Sequence, residues 1–357
     1  MIKLSELLPP RPESSWKLLR QVGVDNVVGV LNGAEQDQRM FASVGGKGWS
    51  ADERVEVAWS HEAIKRNIEL YKQWGFTLVA LEDTAPMDNI RLGQEGRDRE
   101  IDEIIVQIKA MGSLGIPTLA YNWMALSSWG RTDIQMEDRA GAFVTGYNQK
   151  IGQAQPSLIT PGTVSTEDMW DALAYFLEAV IPEADKAGVR LAMHPDDPPQ
   201  QMDRGVPRIM SSVADYRRLL DVVPSAYNGI TLCQGNFALM PEVLSGEISI
   251  PSLIREFGSE KVPFVHFRDV RGTVADFRET FHDDGQTDMA ECFEAYKYIG
   301  FEGPMRPDHV PTLEGESNDR PGYETLGRLF AVGYIRGLEH ASYGHPSTRI
   351  PEDSAEG

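Results

Sequence analysis

Short apolar runs recur along this chain, separated by longer stretches in which apolar residues return every three or four positions. Eight runs read as strands: Ile2–Leu4, Asn26–Leu31, Thr77–Leu81, Pro117–Tyr121, Val189–His194, Gly229–Cys233, Val262–Phe267 and Gly303–Arg306. Each is rich in Val, Ile, Leu, Phe or Met without strict alternation, the pattern of a strand buried on both faces. Gly75, Gly115, Gly188 and Gly229 stand at the edge of such runs, where a left-handed residue closes a preceding helix. Between the runs, Ile101–Met111 sets Ile104, Ile105, Ile108 and Met111 on one helical face. Ser165 with Asp168, and Ser212 with Asp215, form capping-box patterns that open two further helices, the first over Thr166–Ala187.

Strand and helix alternating eight times predicts an α/β fold, a single (β/α)8 TIM barrel. An open doubly wound sheet is the weaker reading, because neither G-x-G-x-x-G nor G-x-x-x-x-G-K-[ST] occurs, and the glycines around Lys47 lack that spacing. The barrel is expected over residues 1–342, with long βα-loop insertions at about 32–52 and 123–161 and a polar tail over 343–357. Within the second insertion, AGAFVTGYNQ (140–149) reads as a hairpin.

Composition narrows the function classes. The chain has 357 residues, 41% of them hydrophobic, enough for a substantial core. Its 34 basic against 54 acidic side chains give a formal charge of -20, which argues against nucleic acid or an anionic membrane as partner. An anionic substrate would therefore have to be captured locally, by a few arginines. Two cysteines cannot make a disulfide framework. MIKLSELLPPRPESS lacks the basic and then apolar pattern of a signal peptide, and no run approaches a membrane span, so a cytoplasmic location is expected. A homodimer or a higher homo-oligomer is left open.

The chemistry sits at strand ends. His194, Cys233, His266 and Asp308 fall at or just past the ends of four consecutive strand candidates, separated by 39, 33 and 42 residues, each about one βα unit. Taken singly, the cysteine reads as core filler, each histidine as a satisfied buried residue and the aspartate as a helix cap. Recurrence at one geometric position in four successive units makes a shared site the stronger reading, since successive strand ends converge on one barrel mouth. Two imidazoles, a thiolate and a carboxylate suit a first-row divalent metal: the thiolate permits Zn or Fe(II), and the carboxylate keeps Mn(II) in play.

Further polar residues share these loops. Asp196 and Asp197 follow His194, Arg268 follows His266 by two positions, and Arg306 precedes Asp308 by two. His309 adjoins Asp308, while His282 and Tyr323 lie in the loops beyond. For Asp196, Asp197 and Asp283 a solvated acidic loop is an equal reading. A buried Arg306 needs an anionic partner, either Asp308 or a substrate carboxylate. Cys292, inside a helical pattern, reads as packing.

HPDDPP (194–199), LCQGN around Cys233, HFRD (266–269), DGQTDM (284–289), RPDH (306–309) and PGY (321–323) together resemble the mannonate dehydratase family, metal-dependent enzymes on a xylose-isomerase-like barrel. YNWM with WGRTD (121–133) and GRDREID (96–102) add weaker matches, so the resemblance runs from about Gly96 onward. It implies that His194, Cys233, His266 and Asp308 bind Mn(II) or Fe(II). It implies too that His309 and Tyr323 move protons, and that D-mannonate loses water to give 2-dehydro-3-deoxy-D-gluconate. Arg268, Arg306, Arg131, His282, Asn122 and Asp196 are the expected contacts to a small sugar-acid substrate. Three alternatives stay open: elimination on a different sugar acid or oxidised sugar, a metal-dependent isomerase or epimerase, and a non-catalytic barrel that keeps its metal for stability.

Overall fold

Parallel pairing closes the predicted runs into one barrel in a computed structural model that describes residues 2–31 and 57–344. The barrel strands are β1 (Lys3–Leu8), β2 (Asn26–Gly29), β3 (Thr77–Leu81), β4 (Thr118–Asn122), β7 (Arg190–His194), β10 (Asn228–Cys233), β11 (Phe264–Phe267) and β14 (Pro304–Pro307). The predicted (β/α)8 architecture is thus the observed one. The expected loop at 32–52 and residues 345–357 of the expected tail lie outside the described residues; Tyr343 ends the last helix, Thr325–Tyr343.

Local signals explain most of the elements. Ser165 and Asp168 form the reciprocal capping box of the helix Thr166–Ala187, and Ser212 accepts from Asp215 N at the head of Val213–Val222. The helix over 101–111 extends to Arg97–Ser113 and buries Ile104, Ile108 and Met111 completely. Gly75, Gly115 and Gly188 take left-handed φ values of 81°, 77° and 70°. Gly229 differs: it lies inside β10, where a Cβ would stand 2.8 Å from the Pro263 ring, so it serves close packing and not a helix end.

The segment 123–161 carries more structure than a loop. β5 (Asp133–Glu137) and β6 (Phe143–Asn148) pair antiparallel and continue into β13 (Asp276–Glu279) and β12 (Val270–Thr273), giving a four-stranded sheet in the order β12-β13-β6-β5. The AGAFVTGYNQ run therefore contributes one strand of a hairpin whose other strand precedes it. Two βα connections, after β4 and after β11, build this sheet together at the barrel's C-terminal side. Among the described residues, no helix is long and apolar enough to cross a membrane.

Candidate active site

Inward positions two residues apart, the strand period, build the site in layers. Ala80 on β3, Ala120 on β4 and Ala192 on β7 belong to a small apolar cluster with Leu7, Val28, Val30 and Phe264. These short side chains leave room above them. Two residues further along come Glu82, Asn122 and His194; the neighbouring strands bring Cys233 and His266, which pair in register, and Asp308 just beyond β14. The result is a cavity of about 190 Å³ lined by Glu82, Arg91, Asn122, Trp129, His194, Asp197, His266, Arg306, Asp308, His309 and Tyr323, among others.

His194, Cys233, His266 and Asp308 converge so closely that one ligating atom from each lies within 4.8 Å of all the others. His194 Nδ1 lies 2.7 Å from the Pro195 carbonyl oxygen, and His266 Nε2 lies 3.1 Å from Glu82 Oε1. Protons on those outer nitrogens leave His194 Nε2 and His266 Nδ1 facing each other across 3.1 Å with lone pairs. Such a contact is repulsive unless a proton or a metal cation stands between them. The anions agree. Burial opposes charge on Cys233, yet Arg268 and the two imidazoles hold its thiol well below the usual range. Burial likewise opposes charge on Asp308, and His309, Arg306 and His266 hold its carboxyl far below normal. Burial and Arg306 push His266 down, but Glu82 and Asp308 prevail and lift it to about 10. This donor set and this field fit a divalent metal ion.

Around the cluster, Arg306 donates to both oxygens of Glu82 at 2.9 and 2.8 Å and to Asp308 Oδ1 at 2.8 Å. The Tyr323 hydroxyl donates to the same Asp308 oxygen at 3.1 Å; burial, reinforced by Asp308, raises its pKa well above the ordinary phenol value. His309 packs against Trp129, ring centroids 4.4 Å apart, and edge-on to Tyr323 at 5.5 Å. Its φ of 42° is left-handed, a strained conformation for a residue with a side chain.

The remaining expected contacts divide. Asn122 lines the cavity, its Oδ1 accepting from Arg91 Nη2 at 3.1 Å and from Met124 N at 3.0 Å. Arg131 and Arg268 do not line it. Arg131 donates to both Asp197 oxygens, at 2.6 and 3.1 Å, and Arg268 reaches Asp197 at 3.0 Å; both also donate to Glu279 Oε1. Two cations facing two carboxylates make a buried quartet behind His309, and Arg268 Nε also reaches Cys233 Sγ at 3.2 Å and Asp308 Oδ2 at 3.3 Å. Asp196 is buried away from the cavity and accepts from Met210 N at 2.7 Å. His282 is also fully buried outside it, stacked on Phe267, and burial lowers its pKa to about 4, which keeps it neutral. Glu82, Arg91, Trp129 and Glu279 were not singled out by sequence reasoning. For Glu82 a signal existed: it follows β3 at the strand-end position that flags His194 on β7.

Comparison with known proteins gives one family. The family described as D-mannonate dehydratase (UxuA) matches residues 16–160 and 149–348, beginning well before Gly96, where the motifs first suggest it. Mannonate dehydratase 2 of Halalkalibacterium halodurans is 33% identical over 321 residues, covering 81% of this chain and 90% of that protein. Mannonate dehydratase of Thermotoga neapolitana is 32% identical over 358 residues, covering 90% of this chain and 92% of that protein. Among solved structures, mannonate dehydratase from Streptococcus suis serotype 2 superposes with a TM-score of 0.79 at 24% identity, covering 100% of this chain and 97% of that one.

Proposed function

The chain belongs to the D-mannonate dehydratase family, and from that premise we propose that it is a hydro-lyase converting D-mannonate to 2-dehydro-3-deoxy-D-gluconate. The observation that carries the reading is a cluster of four metal-type donors, three of which, His194, His266 and Asp308, line one cavity with His309 and Tyr323. His194, Cys233, His266 and Asp308 are the residues that would hold the ion, Mn(II) or Fe(II). Bound there, a divalent ion supplies positive charge that lowers the cost of the negative charge developing on the substrate carboxylate.

The protein's own groups handle the protons. Elimination breaks the C2–H bond, places its electron pair in a C2–C3 double bond and expels the 3-hydroxyl as water; the resulting enol becomes the 2-keto acid. One group must accept the C2 proton and another must protonate the leaving hydroxyl, each step contributing about 10²–10⁴-fold. His309, through Nε2, the ring nitrogen away from the buried quartet, and the Tyr323 hydroxyl are two such groups at the cavity wall. Trp129 covers one face of the His309 ring. Arg91, with Asn122 beside it, receives polar groups of the sugar acid at the cavity wall.

Incubating the metal-replete protein with a panel of aldonates and uronates tests this. D-Mannonate should lose one water and yield a 2-keto acid. Dehydration of another acid with D-mannonate inert would overturn the substrate, and no product from any member would overturn the lyase.

A further inference from the structure

We propose that Glu279, braced by Arg131 and Arg268, is a positioning residue that fixes the ring of His309 for proton transfer; this rests on the reading of His309 as a proton-transfer group. The carboxylate stands 3.1 Å from His309 Nδ1 and is 1% exposed at its side chain. The same nitrogen is met by Arg268 Nη1 at 2.8 Å and Arg131 Nη2 at 3.0 Å. Three groups thus close on one ring nitrogen, and Nε2 is the nitrogen left over, 3.8 Å from Asp308 Oδ1.

Backbone and ring contacts also restrain His309. Its backbone is left-handed and followed by a hydrogen bond from Val310 N to the Gly322 carbonyl at 2.8 Å. One ring face lies against Trp129. Arg131 and Glu279 both come from the segments of the antiparallel sheet, Glu279 as the last residue of β13, whereas Arg268 and Asp197 come from loops after barrel strands. The quartet therefore ties the added sheet to the barrel at the one ring whose orientation the chemistry needs. Charge balance makes Glu279 the sensitive member. Its removal leaves two guanidinium groups facing His309 with Asp197 as their one shared carboxylate, which displaces the ring.

The test uses Glu279→Gln, Glu279→Asp and the charge-balanced double variant Arg131→Gln/Glu279→Gln, which carries the same question should the single variant unfold. Metal per chain and kcat and KM for D-mannonate are measured for each, together with the ¹⁵N ring resonances of His309 in the diamagnetic zinc-loaded protein, identified by their loss in His309→Asn. We expect full metal content, KM within about twofold, a kcat loss of about 10–100-fold as for partners that orient a reacting group, and shifted His309 resonances. Glu279→Asp, which restores the charge, should recover part of the loss. Unchanged kcat, unshifted resonances, a raised KM with kcat kept, or loss of metal would each overturn the assignment. If the wild-type protein does not dehydrate D-mannonate, the functional reading fails instead, and the resonances still decide whether Glu279 orients the ring.

Discussion

Replacing Cys233 with alanine removes one of four donors whose ligating atoms lie within 4.8 Å of one another. Four-ligand sites in small zinc peptides hold their ion with about 10–16 kcal/mol at neutral pH, so one donor carries about 3 kcal/mol. That corresponds to an affinity loss on the order of 10²-fold. The loss should be larger for Fe(II) or Zn(II) than for Mn(II), because sulfur favours the softer ions. The fold should tolerate the change: Arg268 Nε loses the sulfur 3.2 Å away, but its guanidinium keeps Asp197, Glu279 and Asn236 as acceptors. The assay is metal per chain after desalting, followed by a chelator competition that yields the dissociation constant, with thermal unfolding of both metal-free proteins as control. Cys233→Ser, which keeps a small donor atom, should fall between. Metal content and affinity equal to wild type in Cys233→Ala would refute the four-donor site.

Glu82→Gln should lower the stability of the metal-free protein at neutral pH. Burial alone would raise the Glu82 pKa, but Arg306 and His266 carry it from 4.5 down to about 2. That is about 3 kcal/mol, or 2–3 kcal/mol after allowing for a side chain that is 19% exposed. Because the folded pKa is depressed, this advantage over the variant is complete above the ordinary value of 4.5 and fades as pH falls through about 2. Chemical denaturation across pH reads it, and a gap that ignores pH would count against the pairing. Tyr323→Phe should keep its metal yet lose about 10²–10⁴-fold in kcat; steady-state kinetics with wild-type turnover would remove the phenol from the reaction. Arg91→Met should raise KM for the sugar acid more than it lowers kcat, and an unchanged KM would place substrate recognition elsewhere on the wall.

Much of this architecture could be read before any coordinates, and the failures have physical causes. Buried parallel strands announce themselves as short apolar runs, and seven of the eight match the barrel closely. β1 is the exception: it runs to Leu8 through Ser5 and Glu6, polar residues that look out of place until Arg328 is seen to pair with a fully buried Glu6. The antiparallel sheet escaped because its strands come from two segments more than a hundred residues apart, and β12 and β13 carry polar residues at exposed positions. The four donors could be read because one rule, the strand end, places them all. In the sequence Arg131 and Arg268 read as substrate contacts, because their carboxylate partners are invisible in one dimension: Asp197 lies 66 residues from Arg131, and Glu279 lies 148 from it. A cation near an anionic substrate and a cation locked into a buried quartet look alike until the partner is placed.

Metal-assisted dehydration is tested most directly by running the reaction in D₂O. Metal-replete protein given D-mannonate should release one water and form the 2-keto-3-deoxy acid with solvent deuterium at C3, seen by mass and by NMR, and the metal-stripped protein should form none. Deuterium at C2 of a sugar acid that keeps all its oxygen would instead mean epimerisation, and would contradict the account.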